Sequence, residues 1–136
     1  MGALVIDSAT KKDCVVLIVE DDEAISDFLS MTLEQEGYEV CVASNGQQGL
    51  DMIQARTPVA VILDLMLPVL DGLSILKHMQ ERPDTASIPV AVVSAYADAG
   101  DTRKLLDASP NVKKVFVKPV LTDDLLKNVR KMIGGQ

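Results

Sequence analysis

Residues 14–22, CVVLIVEDD, decide the fold: an unbroken aliphatic run stops abruptly at three acids. A run with no polar alternation reads as a parallel strand buried on both faces. It is followed by an amphipathic stretch that sets Ile25, Phe28, Leu29 and Leu33 on one face and closes at Gly37, which predicts a helix over about Glu23 to Glu36. The same unit then repeats. Strands are predicted at Val40–Ala43, Val59–Leu63, Val90–Val93 and Val115–Val117. Ser44 and Gln47 match a capping box for a helix from Asn45 to Arg56, stopped by Pro58. A third helix carries Leu73, Leu76 and Met79 and ends near Pro83, and a fifth follows Thr122 with Leu125, Val129, Met132 and Ile133 on one face. The fourth, about Ala99 to Asp107, offers only Leu105 and Leu106 as large apolar residues, so it is weakly anchored. The pattern predicts an α/β fold, (βα)5 with right-handed crossovers, in which one parallel sheet carries helices on both faces. Residues 1–12 read as a tail, 13–134 as the domain and 135–136 as its end.

The chain has 136 residues, with 13 Lys and Arg against 20 Asp and Glu. That length accommodates one domain, and the reading expects no separate catalytic or DNA-binding module. The net charge of −7, without a basic run, argues against tracking a nucleic-acid backbone. With Phe28, Tyr38, Tyr96 and Phe116 its only aromatic residues, the chain is a poor base-stacking platform. Two cysteines, Cys14 and Cys41, make no disulfide framework, and a reducing cytoplasm is expected. The apolar stretch Ala3 to Ile6 is too short for a signal sequence or a membrane span, so no membrane attachment is expected.

In open α/β sheets, ligands bind beyond the carboxyl ends of the strands. Those ends carry Glu20-Asp21-Asp22, Asp64, Ser94 and Lys118. Singly, each has an ordinary structural role: an Asp or Ser after a strand caps the next helix, and a Lys is solvated. Together they carry chemistry, because neighbouring first and third strands bring Glu20, Asp21 and Asp64 to one edge. Three such anions either take up protons or are neutralised by a cation. An all-oxygen donor set suits a hard divalent ion, Mg²⁺ above all. A carboxylate beside that ion can be phosphorylated, and Asp64 is the candidate nucleophile. Lys118 can stabilise charge on the phosphoryl oxygens, while the Ser94 hydroxyl can bind one of them and pull its segment inward as a switch.

The ordered set VLIVEDDEAI (16–25), VILDLMLPVLDG (61–72), VAVVSAYA (90–97) and VFVKP (115–119) resembles the receiver domains of two-component response regulators, of the chemotaxis-regulator-like kind. The resemblance covers about Cys14 to Ile133. It implies a flavodoxin-like sheet in the order 2-1-3-4-5. By the same resemblance Asp64 is the phosphoacceptor, Glu20 and Asp21 are the acidic pair, and the Met66 backbone carbonyl completes the Mg²⁺ ligands. Asp22 becomes a helix-start residue, Ser94 the switch hydroxyl, and Lys118 the phosphate-binding lysine, usually joined to its proline by a cis bond. The implied partners are a sensor histidine kinase or phosphotransfer protein and a downstream protein reached through the fourth helix, fifth strand and fifth helix. A phosphorylation-dependent homodimer is a second mode open to such a surface.

The sequence departs from the family at three places. Val115 stands where an aromatic usually moves with the switch hydroxyl, and Phe116, one residue along, faces the opposite side of the sheet. Met66 and Tyr96 occupy the positions that flank the phosphoryl group, and neither is a carboxylate or carboxamide that could orient a water, so slow self-dephosphorylation is expected. The segment from Ser94 to Lys118 is slightly long, with the excess expected in Asp107–Lys114. The enzymatic alternative is a Mg²⁺-dependent phosphohydrolase with an Asp nucleophile, which would want an acid at Met66. The other is a flavin-binding domain, which would want Ser, Thr or Gly where Glu20-Asp21-Asp22 stand. His78, the only histidine, reads as a solvated surface residue.

Overall fold

In the computed structural model, which describes residues 15–134, five strands alternate with helices. The strands are β1 (Val15–Val19), β2 (Glu39–Ala43), β3 (Ala60–Leu63), β4 (Val90–Ser94) and β5 (Val112–Val117). The helices are α1 (Glu23–Gln35), α2 (Gly46–Arg56), α3 (Gly72–Gln80), the short α4 (Pro83–Ala86), α5 (Asp101–Asp107) and α6 (Thr122–Gly134). The tail assigned to residues 1–12, Cys14 and the last two residues lie outside the described range.

All strand pairs are parallel and the order is β2-β1-β3-β4-β5. β1, β3 and β4 are buried at every position, which explains their unbroken apolar sequences. Alternation across the sheet builds two cores. Leu17, Val19, Val61, Leu63, Val90 and Val92 pack on one face against Leu50 and Ile53 of α2, Ile75 and Met79 of α3 and Leu106 of α5. Val16, Ile18, Ile62, Val93 and Phe116 pack on the other against Leu29 and Leu33 of α1 and Leu125, Val129 and Met132 of α6. Val115 belongs to the first face and Phe116 to the second.

Several element ends differ from the sequence reading. The cap of α2 is Asn45, not Ser44: Asn45 accepts from the Gln48 backbone N–H at 2.9 Å, and the Gln48 side chain accepts from the Ser44 N–H at 2.8 Å. Gln48 thus reaches the residue before the cap rather than the cap itself, so only the forward half of a capping box forms here. α5 begins at Asp101 rather than Ala99, because the chain turns from Tyr96 and passes Gly100 at φ +45° before it can coil. Pro83 does more than end a helix. It opens α4, where its missing N–H costs no hydrogen bond. β5 starts three residues earlier than expected, at Val112, and its pairing with β4 shifts at Val90/Ala91, so that Val112 and Lys114 oppose consecutive β4 residues. No described helix is long and apolar enough to cross a membrane.

Candidate functional site

The backbone ladder carries the acids past the ends of their strands. The Glu20 N–H donates to the Ala43 carbonyl and the Asp64 N–H to the Val19 carbonyl, both at 3.0 Å. Adjacent strands therefore deliver Glu20 and Asp64 side by side, and Asp21 follows at the surface. One carboxylate oxygen from each of the three lies within 4.8 Å of the others. Asp22 turns away to cap α1, accepting from the Ile25 N–H at 3.1 Å. The Asp22 N–H in turn donates to Glu20 Oε2 at 3.1 Å, and the Met66 N–H to Asp64 Oδ1 at 3.1 Å.

Lys118 enters from the end of β5, its N–H bonded to the Ser94 carbonyl at 3.2 Å. Its ammonium donates to Glu20 Oε1 at 2.8 Å and to Asp64 Oδ2 at 3.0 Å. The Lys118–Pro119 peptide is cis. Burial pushes the Glu20 carboxyl above its usual range, assisted by the charge of Asp64; the hydrogen bonds from Lys118 and the Asp22 N–H only partly offset this. Burial also works against the Lys118 charge, but the two carboxylates outweigh it and hold the ammonium above its ordinary value. One cation thus faces three acids. The all-oxygen donor set of Glu20, Asp21 and Asp64 fits a hard divalent ion.

Ser94 is fully buried at the end of β4, two residues past the Leu63/Val92 pair, and its Oγ accepts from the Tyr96 N–H at 3.4 Å. Met66, whose N–H bonds to Asp64, and Tyr96, whose N–H bonds to Ser94, are 59% and 57% exposed, so both side chains stand in solvent beside the cluster. The structure thus brings Glu20, Asp21, Asp64 and Lys118 into one cluster, with Ser94 on the strand next to Asp64. His78 sits apart on α3, its Nδ1 3.0 Å from Glu81 Oε1.

Sequence reading missed the role of Gly72. A Cβ there would come within 2.6 Å of the Asp64 carbonyl oxygen and 2.8 Å of Leu65 Cα. The loop after β3 folds back on itself, with the Gly72 N–H bonded to the Leu65 carbonyl at 3.0 Å and Asp71 capping α3. The Asp-Gly dipeptide was the available signal. Gly46 is equally constrained, because a Cβ would run into the Leu70 carbonyl of the same loop.

Comparison with known proteins agrees with this geometry. Residues 16–130 match the family model of the response regulator receiver domain. The chain belongs to that family. It is 30% identical over 118 residues to the phosphate regulon transcriptional regulatory protein PhoB of Rhizobium meliloti, covering 87% of this chain and 51% of that protein. It is 32% identical over 121 residues to the response regulator ArlR of Staphylococcus saprophyticus, covering 89% and 53%. The chain spans about half the length of these curated relatives. Among solved structures it resembles a CheY-like receiver from Methanospirillum hungatei (29% identity, TM-score 0.80, 90% of this chain and 95% of that one). It also resembles the receiver domain of the sensor histidine kinase PA1611 of Pseudomonas aeruginosa (25% identity, TM-score 0.80, 90% and 98%), whose active-site cleft holds a magnesium ion. Receiver membership disfavours the phosphohydrolase alternative, in keeping with Met66 standing where that chemistry wants an acid.

Proposed function

We propose that this receiver domain is phosphorylated on Asp64 by a sensor histidine kinase or phosphotransfer protein, and that the modification changes a protein-binding surface. The observation that carries the reading is the convergence of Glu20, Asp21 and Asp64 within 4.8 Å, with Lys118 bridging two of them. An Asp64 carboxylate oxygen forms the bond to phosphorus, the P–N bond to the donor imidazole breaks, and the imidazole nitrogen keeps the electron pair. Lys118 is placed to follow the charge from the carboxylate to the phosphoryl oxygens. Ser94 offers its hydroxyl to one of those oxygens, which draws the start of the β4–α5 segment towards Asp64. Glu20, Asp21, Asp64 and the Met66 carbonyl would hold Mg²⁺, which when bound neutralises the charge gathered between acids and phosphoryl group.

The output surface is α5, β5 and α6, because Ser94 and Lys118 sit at its upper edge. Val115 leaves no aromatic ring to report on Ser94, so the response runs mainly through α5, whose one buried side chain is Leu106. Met66 and Tyr96 leave an attacking water without an orienting carboxylate, which makes the acyl phosphate long-lived. The test is incubation with acetyl phosphate and Mg²⁺ followed by intact mass. A gain of one phosphoryl group, lost in Asp64→Asn and reduced by chelation, supports the assignment. An equal gain in Asp64→Asn overturns it.

A further inference from the structure

The domain is acidic, yet the β5–α6 edge is basic. β5 is an edge strand, paired only with β4, so its outer side is open in the sheet. Between β5 and α6 runs a shallow groove of about 460 Å³, lined along the strand by residues 115–117, of which Phe116 faces α6 and Val115 belongs to the opposite face. Lys114, Lys127 and Lys131 line it, and Lys113 stands exposed beside Lys114. Lys127 and Lys131 are one helical turn apart on α6 and so share a face. Lys114 lies 5.8 Å from the centre of the Phe116 ring. Among the described residues none of the three groove lysines forms an ion pair, whereas Arg82, Arg103, Lys118 and Arg130 all do. Asp124, in the first turn of α6, is the one acidic residue in the lining.

An open strand edge and a row of ammonium groups outside any ion pair have one common complement. We infer that this edge binds an extended acidic segment of a partner protein, which adds to β5 as a further strand and sets its carboxylates against Lys114, Lys127 and Lys131. Main-chain pairing supplies affinity, and the lysines select acidic partners and speed their encounter. β5 runs directly into Lys118, and Ser94 pairs with Val117, so the binding strand ends at the proposed phosphorylation site. The inference specifies the partner of the output surface proposed above and rests on that assignment of the surface.

The test uses the whole chain, unphosphorylated, with a fluorescein-labelled peptide of alternating Glu and Val, its Lys/Val counterpart, and a single-stranded DNA oligomer of the same charge as the Glu/Val peptide. The expected result is saturable anisotropy for the Glu/Val peptide, at least about tenfold tighter than for the Lys/Val peptide and weakening as salt rises. Amide shift changes should be confined to the β5 edge and the facing side of α6. Lys127→Glu/Lys131→Glu, on an exposed helix face, should lose at least about tenfold in affinity while its circular dichroism stays unchanged. Lys114→Ser serves the same purpose if the double variant folds poorly. No saturable binding, binding indifferent to both variants, or tighter binding of the DNA oligomer would overturn the inference. The same preparation is tested for acetyl-phosphate labelling, so failure of the peptide test and failure of the Asp64 assignment are read independently.

Discussion

Replacing Lys118 by Met removes the ammonium while keeping a flexible stem of similar length. In the folded chain this deprives Glu20 and Asp64, both buried, of a cation 2.8 and 3.0 Å away. Breaking a buried pair by removing one partner costs about 3–5 kcal/mol. The Lys118 side chain is 21% exposed and Asp21 opens the cluster to water, so the lower end applies, about 3 kcal/mol. An unfolding entropy of about 2.1 cal/mol/K per residue gives roughly 0.25 kcal/mol/K over residues 15–134, and hence a Tm drop of about 12 °C. The assay is thermal unfolding by circular dichroism in the presence of chelator. Without Lys118 the Glu20 carboxyl rises further above its ordinary range. Between the unfolded value and the raised folded one, the native chain holds a proton that the unfolded chain has released, so stability falls as pH rises through that window. The deficit should therefore shrink on acidification, as Glu20 takes up its proton in the folded chain. Saturating Mg²⁺ should also narrow it, by restoring positive charge beside the acids. A change in Tm below about 2 °C at neutral pH, or a deficit that grows on acidification, would refute this electrostatic account.

Three other substitutions probe the loops that place the site. Gly72→Ala puts a methyl against the Asp64 carbonyl and Leu65 Cα, backbone atoms that cannot yield; a loss of about 1–3 kcal/mol in urea denaturation and slower acetyl-phosphate labelling are expected, and full labelling at unchanged stability would contradict the packing argument. Val69, 79% exposed at φ +73°, is a β-branched residue in the left-handed region, so Val69→Gly should stabilise the chain by about 1 kcal/mol in the same assay. Met66→Asn supplies a carboxamide beside the cluster and should shorten the acyl-phosphate lifetime roughly tenfold in a label-decay measurement, whereas an unchanged lifetime would mean that water orientation does not limit hydrolysis.

The fold was legible because burial on both faces leaves β1, β3 and β4 no polar positions, so their apolar runs stand out from the amphipathic helices. The ends of the elements were less so. Asn45 and Ser44 are both good capping residues, and which one caps depends on where Gly46 must pass beneath Leu70, a contact between segments far apart in sequence. The onset of β5 was hidden because Lys113 and Lys114, on an exposed edge, break the apolar pattern that marked the inner strands. The acids were visible as strand-end residues, and parallel order brings β1 and β3 together. That Lys118 bridges Glu20 and Asp64, however, depends on the length and direction of a side chain arriving from the other end of the chain. The Asp71-Gly72 pair signalled a turn, but not that Gly72 must leave room for a carbonyl that only the folded loop brings near.

The account stands most directly on the position of the acyl phosphate. Borohydride reduction of the labelled protein converts an aspartyl phosphate to homoserine, which peptide mapping then locates. Homoserine at position 64, absent from unlabelled protein, is the predicted result. Homoserine at position 21 instead, or a labelled protein that carries its phosphoryl group on His78 and yields no homoserine, would contradict it.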